Sequence, residues 1–285
     1  MKKNIFLFIT LILTGNALSQ NPYKGSWSGI IYKKNISKGE PIHLSFFIID
    51  DIVNGYCKKE KYKKNDFIIN KTVGKYKNDS IFIEEHAIVN HNKSSREKKK
   101  KRKFELIYND TTGYIHGKCH ALKNKNEIEY LTLYKVDNAY RKLTNTPLSH
   151  SWFGRLKEDL KNGYYSPIKR EIERNEFKFI PIYFDYDKAE VKKEYHAFLK
   201  KMIRVVNGHT DLRIKVIGHT DSDGSISYNV DLSERRAKSI IKYFTKNGIS
   251  ADKIEIDFKG ESQPVDTNKT PEGKQRNRRV DFSFI

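Results

Sequence analysis

Gly218-His219-Thr220-Asp221-Ser222-Asp223-Gly224-Ser225, followed by Leu232-Ser233-Glu234-Arg235-Arg236-Ala237, is the text on which the reading of this chain turns. Just before it, Leu212 to Ile217 alternates apolar and polar residues, as a strand does. Just after it, Leu232 to Phe244 carries apolar residues at helical spacing, with Ser233 near its start. A strand therefore runs into a short polar turn, and the chain returns as a helix. Gly218 reads as a site of close packing and Gly224 as an unusual turn conformation. This return can bring Asp221, at the strand end, and Arg236, on the helix, to one pocket.

The flanking text extends the pattern in both directions. Phe177 to Phe184 is apolar and strand-prone. Glu190 to Val206 has helical spacing through Val191, Tyr195, Phe198, Leu199, Met202 and Val205. Ile254 to Phe258 and Val280 to Ile285 read as closing strands. The order strand–helix–strand–helix–strand–strand predicts a βαβαββ sandwich of the α+β class, with its helices on one face, over residues 177–285.

Further motifs lie in the same region. They are Ile182-Tyr183-Phe184-Asp185-Tyr186-Asp187-Lys188, Tyr228-Asn229, Gly260-Glu261-Ser262-Gln263-Pro264, Asn268 and Gly273-Lys274-Gln275-Arg276-Asn277-Arg278-Arg279-Val280. With the opening stretch they resemble, in order and spacing, the OmpA-like C-terminal domain family, whose members bind peptidoglycan. The resemblance covers somewhat over a third of the chain. It implies a site for the diaminopimelate of the stem peptide, with Asp221 and Arg236 as principal contacts. Asn229, Arg278, Thr220 and the backbone near Asp187 would line it. It also implies that Asn277 and Arg279 pin the last strand to the preceding loop.

The chemistry of this pair stands beside the resemblance. The free end of diaminopimelate presents an ammonium and a carboxylate on one carbon. Recognising both takes an anion and a fork-shaped cation held close together. Arg236 can donate to a carboxylate bidentately, which lysine cannot copy, and Asp221 can accept from an ammonium. Taken singly, Asp221 could merely cap the Ser222-Asp223-Gly224 turn, and Arg236 could be a surface helix residue beside Arg235. His219 near Asp221 and Asp223 misses both the calcium-loop spacing and a zinc ligand set. Ser222, His219 and Asp221, neighbours on one turn, do not form a triad. No metal, cofactor or catalytic group is expected.

The N-terminal part reads differently. Residues 20–137 hold alternating runs such as Trp27 to Tyr32, His43 to Ile49, Ser80 to Ile83, Lys103 to Tyr108 and Tyr130 to Tyr134. Turn text at Lys38-Gly39, Asn54-Gly55, Asn78-Asp79 and Asn109-Asp110 separates them. An all-β domain of unknown role, an antiparallel sandwich or a small barrel, is expected. Eight membrane-crossing strands would need more chain, and the strands carry many lysines, so a lipid-spanning barrel is not expected. Residues 138–176 read as a helical connector, with helix text at 152–160 and 168–175. Ser166-Pro167 marks the start of its second piece.

Residues 1–19 read as a signal peptide. Lys2 and Lys3 precede an apolar run from Ile5 to Leu13, and Gly15, Ala17 and Ser19 are small. Export to the periplasm of a Gram-negative bacterium follows, with outer-membrane association left open. Whether the segment is cleaved or anchors the chain also stays open. Export permits a disulfide, so Cys57 and Cys119 are either bridged or two buried thiols. The net charge is +20, with its excess before residue 177, partly in the run from Arg96 to Lys103. An exported protein seldom meets nucleic acid, so none is expected as a partner. The expected partner is peptidoglycan, with envelope proteins open to the β domain. Two rivals remain: a peptidoglycan-processing enzyme whose β domain is catalytic, and a MotB-like stator or secretion component with an uncleaved anchor.

Overall fold

The computed structural model describes residues 21–62, 66–92, 100–136 and 150–285. The segment read as a signal peptide, the first half of the Arg96–Lys103 run and residues 138–149 of the connector lie outside them. The chain divides into two compact units, residues 1–109 with 114–153, and 110–113 with 154–285. The boundary falls inside the region read as connector.

The first unit is a closed antiparallel barrel. Its eight strands are β1 (Gly25–Tyr32), β2 (Glu40–Ile49), β3 (Ile52–Glu60), β4 (Phe67–Lys77), β5 (Ser80–His91), β6 (Arg102–Asn109), β7 (Tyr114–Ala121) and β8 (Asn124–Val136). Each pairs with its neighbour in sequence, and β8 pairs with β1. Of the two expected forms, this is the barrel. Eight strands fit in the available length because several hairpins are tight. Asp50-Asp51 and Asn78-Asp79 hold both central residues at positive φ, the geometry that two-residue hairpins need and that Asp and Asn tolerate.

One expected turn is corrected. Asn54-Gly55 lies inside β3, and the turn sits at Asp50-Asp51. Gly55 serves a close cross-strand approach, since a Cβ there would meet the Ser45 carbonyl oxygen at 1.9 Å. Three of the eight strands, β1, β6 and β7, hold only eight residues, where a membrane-crossing strand takes about 9–11. The outer wall carries half-exposed ion pairs, Lys103–Glu84 at 3.1 Å and Lys118–Glu105 at 3.0 Å, where a lipid-facing band would have to be apolar.

The barrel interior is packed with side chains such as Trp27, Leu44, Phe46, Val53, Ile81 and Leu106. Tyr23 closes one end. Its hydroxyl accepts from the Tyr108 N–H at 2.7 Å and donates to the Asp79 carbonyl at 2.5 Å, while Trp27 Nε1 donates to the Tyr23 carbonyl at 2.8 Å. Cys57 and Cys119 are free, buried thiols. They lie on β3 and β7, four strands apart around the wall. At a strand spacing of about 4.8 Å, opposite walls of a round eight-stranded barrel stand on the order of 15 Å apart. A disulfide needs Cα atoms within about 7 Å.

Helix α1 (Ser151–Lys161) holds the boundary between the units. Helix α2 (Pro167–Asn175) follows. Ser166 is its N-cap and accepts from the Lys169 N–H, and Pro167 opens it, as the sequence indicates.

The second unit is a four-stranded sheet with helices against it. Its elements are β9 (Ile182–Tyr183), α3 (His196–Gly208), β10 (Ile214–Gly218), α4 (Ile226–Lys246), β11 (Ile254–Phe258), α5 (Pro271–Asn277) and β12 (Arg279–Phe284). The sheet order is β11-β10-β12-β9, with β10 and β11 parallel and the other pairs antiparallel. Phe184, Leu199, Val206, Val216, Ile240 and Phe244 are among the side chains filling the layer between sheet and helices. The expected βαβαββ order holds, with one added short helix.

Three boundaries differ from expectation. Phe177 to Phe184 is a strand only at 182–183, because only those residues find partners on β12. Phe177 and Phe179 instead pack on Phe284, with ring centroids 5.2 and 4.7 Å away. The helix expected from Glu190 starts at His196, after a 3-10 turn at Lys193–Tyr195. Helix α4 starts six residues before Leu232, because Ser225 caps it by accepting from the Tyr228 N–H at 3.2 Å. The unanticipated α5 has its own signal in Thr270-Pro271. Thr270 Oγ1 accepts from the Gly273 N–H at 3.1 Å, and proline takes the first turn.

Candidate functional site

The end of β10 sets the site. At Gly218 the backbone of α4 comes so close that a Cβ would meet the Ser233 carbonyl oxygen at 2.0 Å. Glycine is required by that approach. The chain then leaves the sheet, held by the His219 N–H donating to the Arg279 carbonyl at 2.9 Å and the Thr220 N–H donating to the Gly260 carbonyl at 2.8 Å.

Asp221 follows, 4% exposed. Its Oδ1 accepts from the Asp223 N–H at 3.3 Å, so the turn-holding role exists. Its Oδ2 accepts from Nη1 of Arg278 at 2.7 Å. Arg278 immediately follows α5. Its Nε donates to the Phe184 carbonyl at 3.3 Å, and its Nη2 donates to Gln275 Oε1. The turn and the helix end thus meet through one charged hydrogen bond.

Arg236 is completely buried on α4. It is not the open helix residue that one reading allowed. Its Nε donates to the Lys188 carbonyl at 2.9 Å, Nη1 to the His219 carbonyl at 3.0 Å and Nη2 to the Asp185 carbonyl at 3.2 Å. The guanidinium also lies 5.5 Å from the Phe184 ring centroid. It therefore clamps the 185–188 loop to the end of β10. An arginine has five N–H donors, so two remain beyond these three bonds. Burial lowers its pKa to about 10, against the pull of Asp221 and with the push of Arg278. It stays protonated at neutral pH.

The remaining expected residues are distributed around this centre. Thr220 is buried, and its Oγ1 has no hydrogen-bond partner among the described residues. Asn229, fully buried in the first turns of α4, donates through Nδ2 to Glu261, while its Oδ1 is unpartnered among the described residues. That oxygen lies 3.8 Å from where a Cβ on Gly224 would sit, beside the Asp221 turn, and Gly224 itself has φ +101°. Asp187 is exposed at φ +53° and accepts from the Tyr228 hydroxyl. Asp221 and Asp187 both act electrostatically on Arg236.

The structure adds residues that sequence reasoning left without roles. Gln275 steadies Arg278 and also donates from Nε2 to the Phe184 carbonyl at 3.1 Å. Lys274 pairs with Asp223 at 2.6 Å. Both lie on α5, and reading Thr270-Pro271 as a helix start would have placed them beside Arg278. Asn277 pins the preceding loop as expected. Its Oδ1 accepts from the N–H groups of Val265 and Asp266 at 2.8 and 3.0 Å. Arg279 donates to the Gln263 carbonyl at 3.3 Å. His219 positions the loop through its backbone, and burial with the nearby Arg279 lowers its ring pKa to about 4. The ring is neutral at pH 7.

Chemically, the site is a carboxylate flanked by two guanidinium groups, with unpartnered buried oxygens on Thr220 and Asn229 beside it. Such a set can meet a group that offers both a cation and an anion.

The comparisons with known proteins fall on the same segment. The OmpA family model matches residues 183–278. Outer membrane protein A of Bordetella avium is 38% identical over 103 residues, covering 36% of this chain and 53% of that protein. Outer membrane porin F of Pseudomonas fluorescens is 36% identical over 104 residues, covering 36% of this chain and 32% of that one. The chain thus spans about half the length of the first relative and less of the second. Among solved structures, the peptidoglycan-associated lipoprotein of Burkholderia pseudomallei aligns at 27% identity over 37% of this chain and 89% of that one, with a TM-score of 0.36. The turn bearing Asp221, the buried Arg236 and the Arg278 that ends the match all lie inside one segment, and residues 183–278 are an OmpA family domain.

Proposed function

We propose that this domain binds peptidoglycan non-covalently, through diaminopimelate in the stem peptide, and so tethers the cell envelope to the wall. The observation that carries the reading is the Asp221 carboxylate, nearly buried and hydrogen-bonded to Arg278 within electrostatic reach of Arg236. In the bound state Asp221 accepts from the ligand ammonium. Arg236 meets the adjoining carboxylate with the two N–H groups that no carbonyl takes, and Arg278 shifts from its unliganded pairing. Thr220 Oγ1 and Asn229 Oδ1 supply further partners. The family match and the outer-membrane relatives support the class of ligand and an exported, periplasmic location at the outer membrane. The protein acts as a binder rather than a hydrolase in this reading.

The test is calorimetric titration of the full chain with two stem peptides that differ only in carrying diaminopimelate or lysine. Lysine lacks the side-chain carboxylate and leaves a charged donor unpaired, at about 1–3 kcal/mol. The expected result is one to two decades weaker binding of the lysine peptide, roughly what that energy implies. Equal affinities would place the recognition elsewhere, and release of soluble muropeptides from intact sacculi would restore the enzyme reading.

A further inference from the structure

We propose that the open mouth of the barrel is a second binding site, which takes a small organic anion with an apolar body. A cavity of about 800 Å³ lies there, lined by the β1–β2 connection and by the adjoining ends of β3, β4, β6 and β8. That volume falls in the range of small-molecule sites, about 300–1,000 Å³.

The inward-facing positions change character along the barrel. Toward the Tyr23 end they are apolar. Toward the mouth five of them are polar: Lys59, Asn70, Glu85, Arg102 and Glu129, and all but Glu129 are buried. An eight-stranded barrel is just wide enough for side chains to fill. Well-packed apolar residues of similar volume would serve stability at least as well as buried ion pairs. Charges set into this end therefore point to a role beyond filling it.

The hydrogen bonds among these groups leave donors in excess. Glu85 accepts from Lys59 Nζ at 3.1 Å, from Asn70 Nδ2 at 2.9 Å and from the Arg102 N–H at 2.9 Å. Arg102 Nε donates to Glu129 at 2.7 Å. Arg102 Nη2 has no acceptor among the described residues, and Arg102 and Lys59 both line the cavity. Among the described residues, seven cationic side chains line it against five acidic ones. Lys34 and Lys38, at the rim, form no ion pair among the described residues.

Chemistry follows from this distribution. An anionic, acceptor-rich head group fits against Arg102 Nη2 and Lys59, where the partly closed wall strengthens charged hydrogen bonds. Ile31, Pro41, Phe67 and Ile68 line the same cavity and receive the apolar body. The lysines of the rim attract anions from solution and act less at high salt. A neutral or cationic ligand of the same shape gains none of this.

The test titrates the full chain with octanoate, octanol and octylamine at low salt, by calorimetry and by amide chemical-shift mapping. Octanoate should bind one-to-one, with shifts around Ile31, Lys59, Ile68 and Arg102, and at least about tenfold tighter than octanol; octylamine should not bind. The double variant Lys34→Glu with Lys38→Glu alters only exposed rim side chains, so the barrel should keep its spectrum and lose octanoate affinity several-fold. Arg102→Met should lose more, and if that variant unfolds, the rim variant still carries the test. Equal binding of octanoate and octanol, shifts away from the mouth, or a folded rim variant with unchanged affinity would overturn the proposal. None of these outcomes depends on the stem-peptide reading.

Discussion

Nη1 of Arg278 donates to Oδ2 of Asp221 at 2.7 Å, and the two side chains are 11% and 5% exposed. The pair joins the turn after β10 to the end of α5, so each charge is both a structural tie and half of the candidate site. Removing one partner of a buried pair leaves the other uncompensated, at roughly 3 kcal/mol. Asp221→Asn should lower the stability of the second unit by about that much and abolish stem-peptide binding. Urea unfolding of the full chain, followed through resonances of β10 and β12, reads the first effect. A loss of binding with unchanged stability would mean that the pair is not formed in the free protein.

Arg236 should prove structural as well as ligand-facing. Its three bonds to carbonyls close the 185–188 loop, and a lysine cannot reach all three from one ammonium. Arg236→Lys should leave two buried carbonyls short of a donor, at about 1–3 kcal/mol each. The expected outcome is a less stable unit with faster amide exchange at residues 185–188. A variant as stable as the parent, with only its binding reduced, would show the clamp to be dispensable.

Acid should loosen the barrel before base does. Burial alone would raise the pKa of Glu60, but the neighbouring His43 ring and the paired Lys58 ammonium outweigh it and hold the carboxyl at about 2. His150 also lies 2.6 Å from the same carboxylate. A depressed carboxyl contributes stability that is full above its unfolded value, near 4.5, and is lost as pH falls toward 2. Burial likewise lowers the pKa of His43, so the unfolded chain takes up that proton first, and stability begins to fall below about 6.5. Thermal melts of the parent should therefore drop below pH 6 and steepen below 4.5. In Glu60→Gln the steep lower limb should shrink. An unchanged acid limb in that variant would assign it to other groups.

The two thiols should behave as protected groups. Burial pushes Cys119 up to about 12, with nearby Glu129 adding to the shift, and burial also raises Cys57 well above the ordinary thiol value. Thiolate is the reactive form, so maleimide should label neither residue in the folded protein and both after unfolding without reductant. An intact mass two hydrogens lighter, with no labelling after denaturation, would mean that the cysteines are bridged. Because the folded thiols keep their protons, this part of barrel stability should also decline as pH rises past about 8.5.

The residues of the candidate site were legible in the sequence because their spacing is local. Gly218 through Gly224, the Arg236 helix and the segment ending at Arg278 each carry their own turn and cap signals. Strand alternation likewise marked an all-β first unit. What sequence could not give was pairing over distance. Closure of β8 onto β1 depends on hydrogen bonds between residues about a hundred positions apart, and alternation reads the same in a sandwich as in a barrel. Only the tertiary structure committed Arg236 to three backbone carbonyls and Arg278 to Asp221, because those partners are set by how the 185–188 loop and α5 fold back on the sheet. The same holds for the barrel mouth. Lys59, Glu85, Arg102 and Glu129 are ordinary surface residue types in a lysine-rich sequence, and strand register alone turns them inward to face one another.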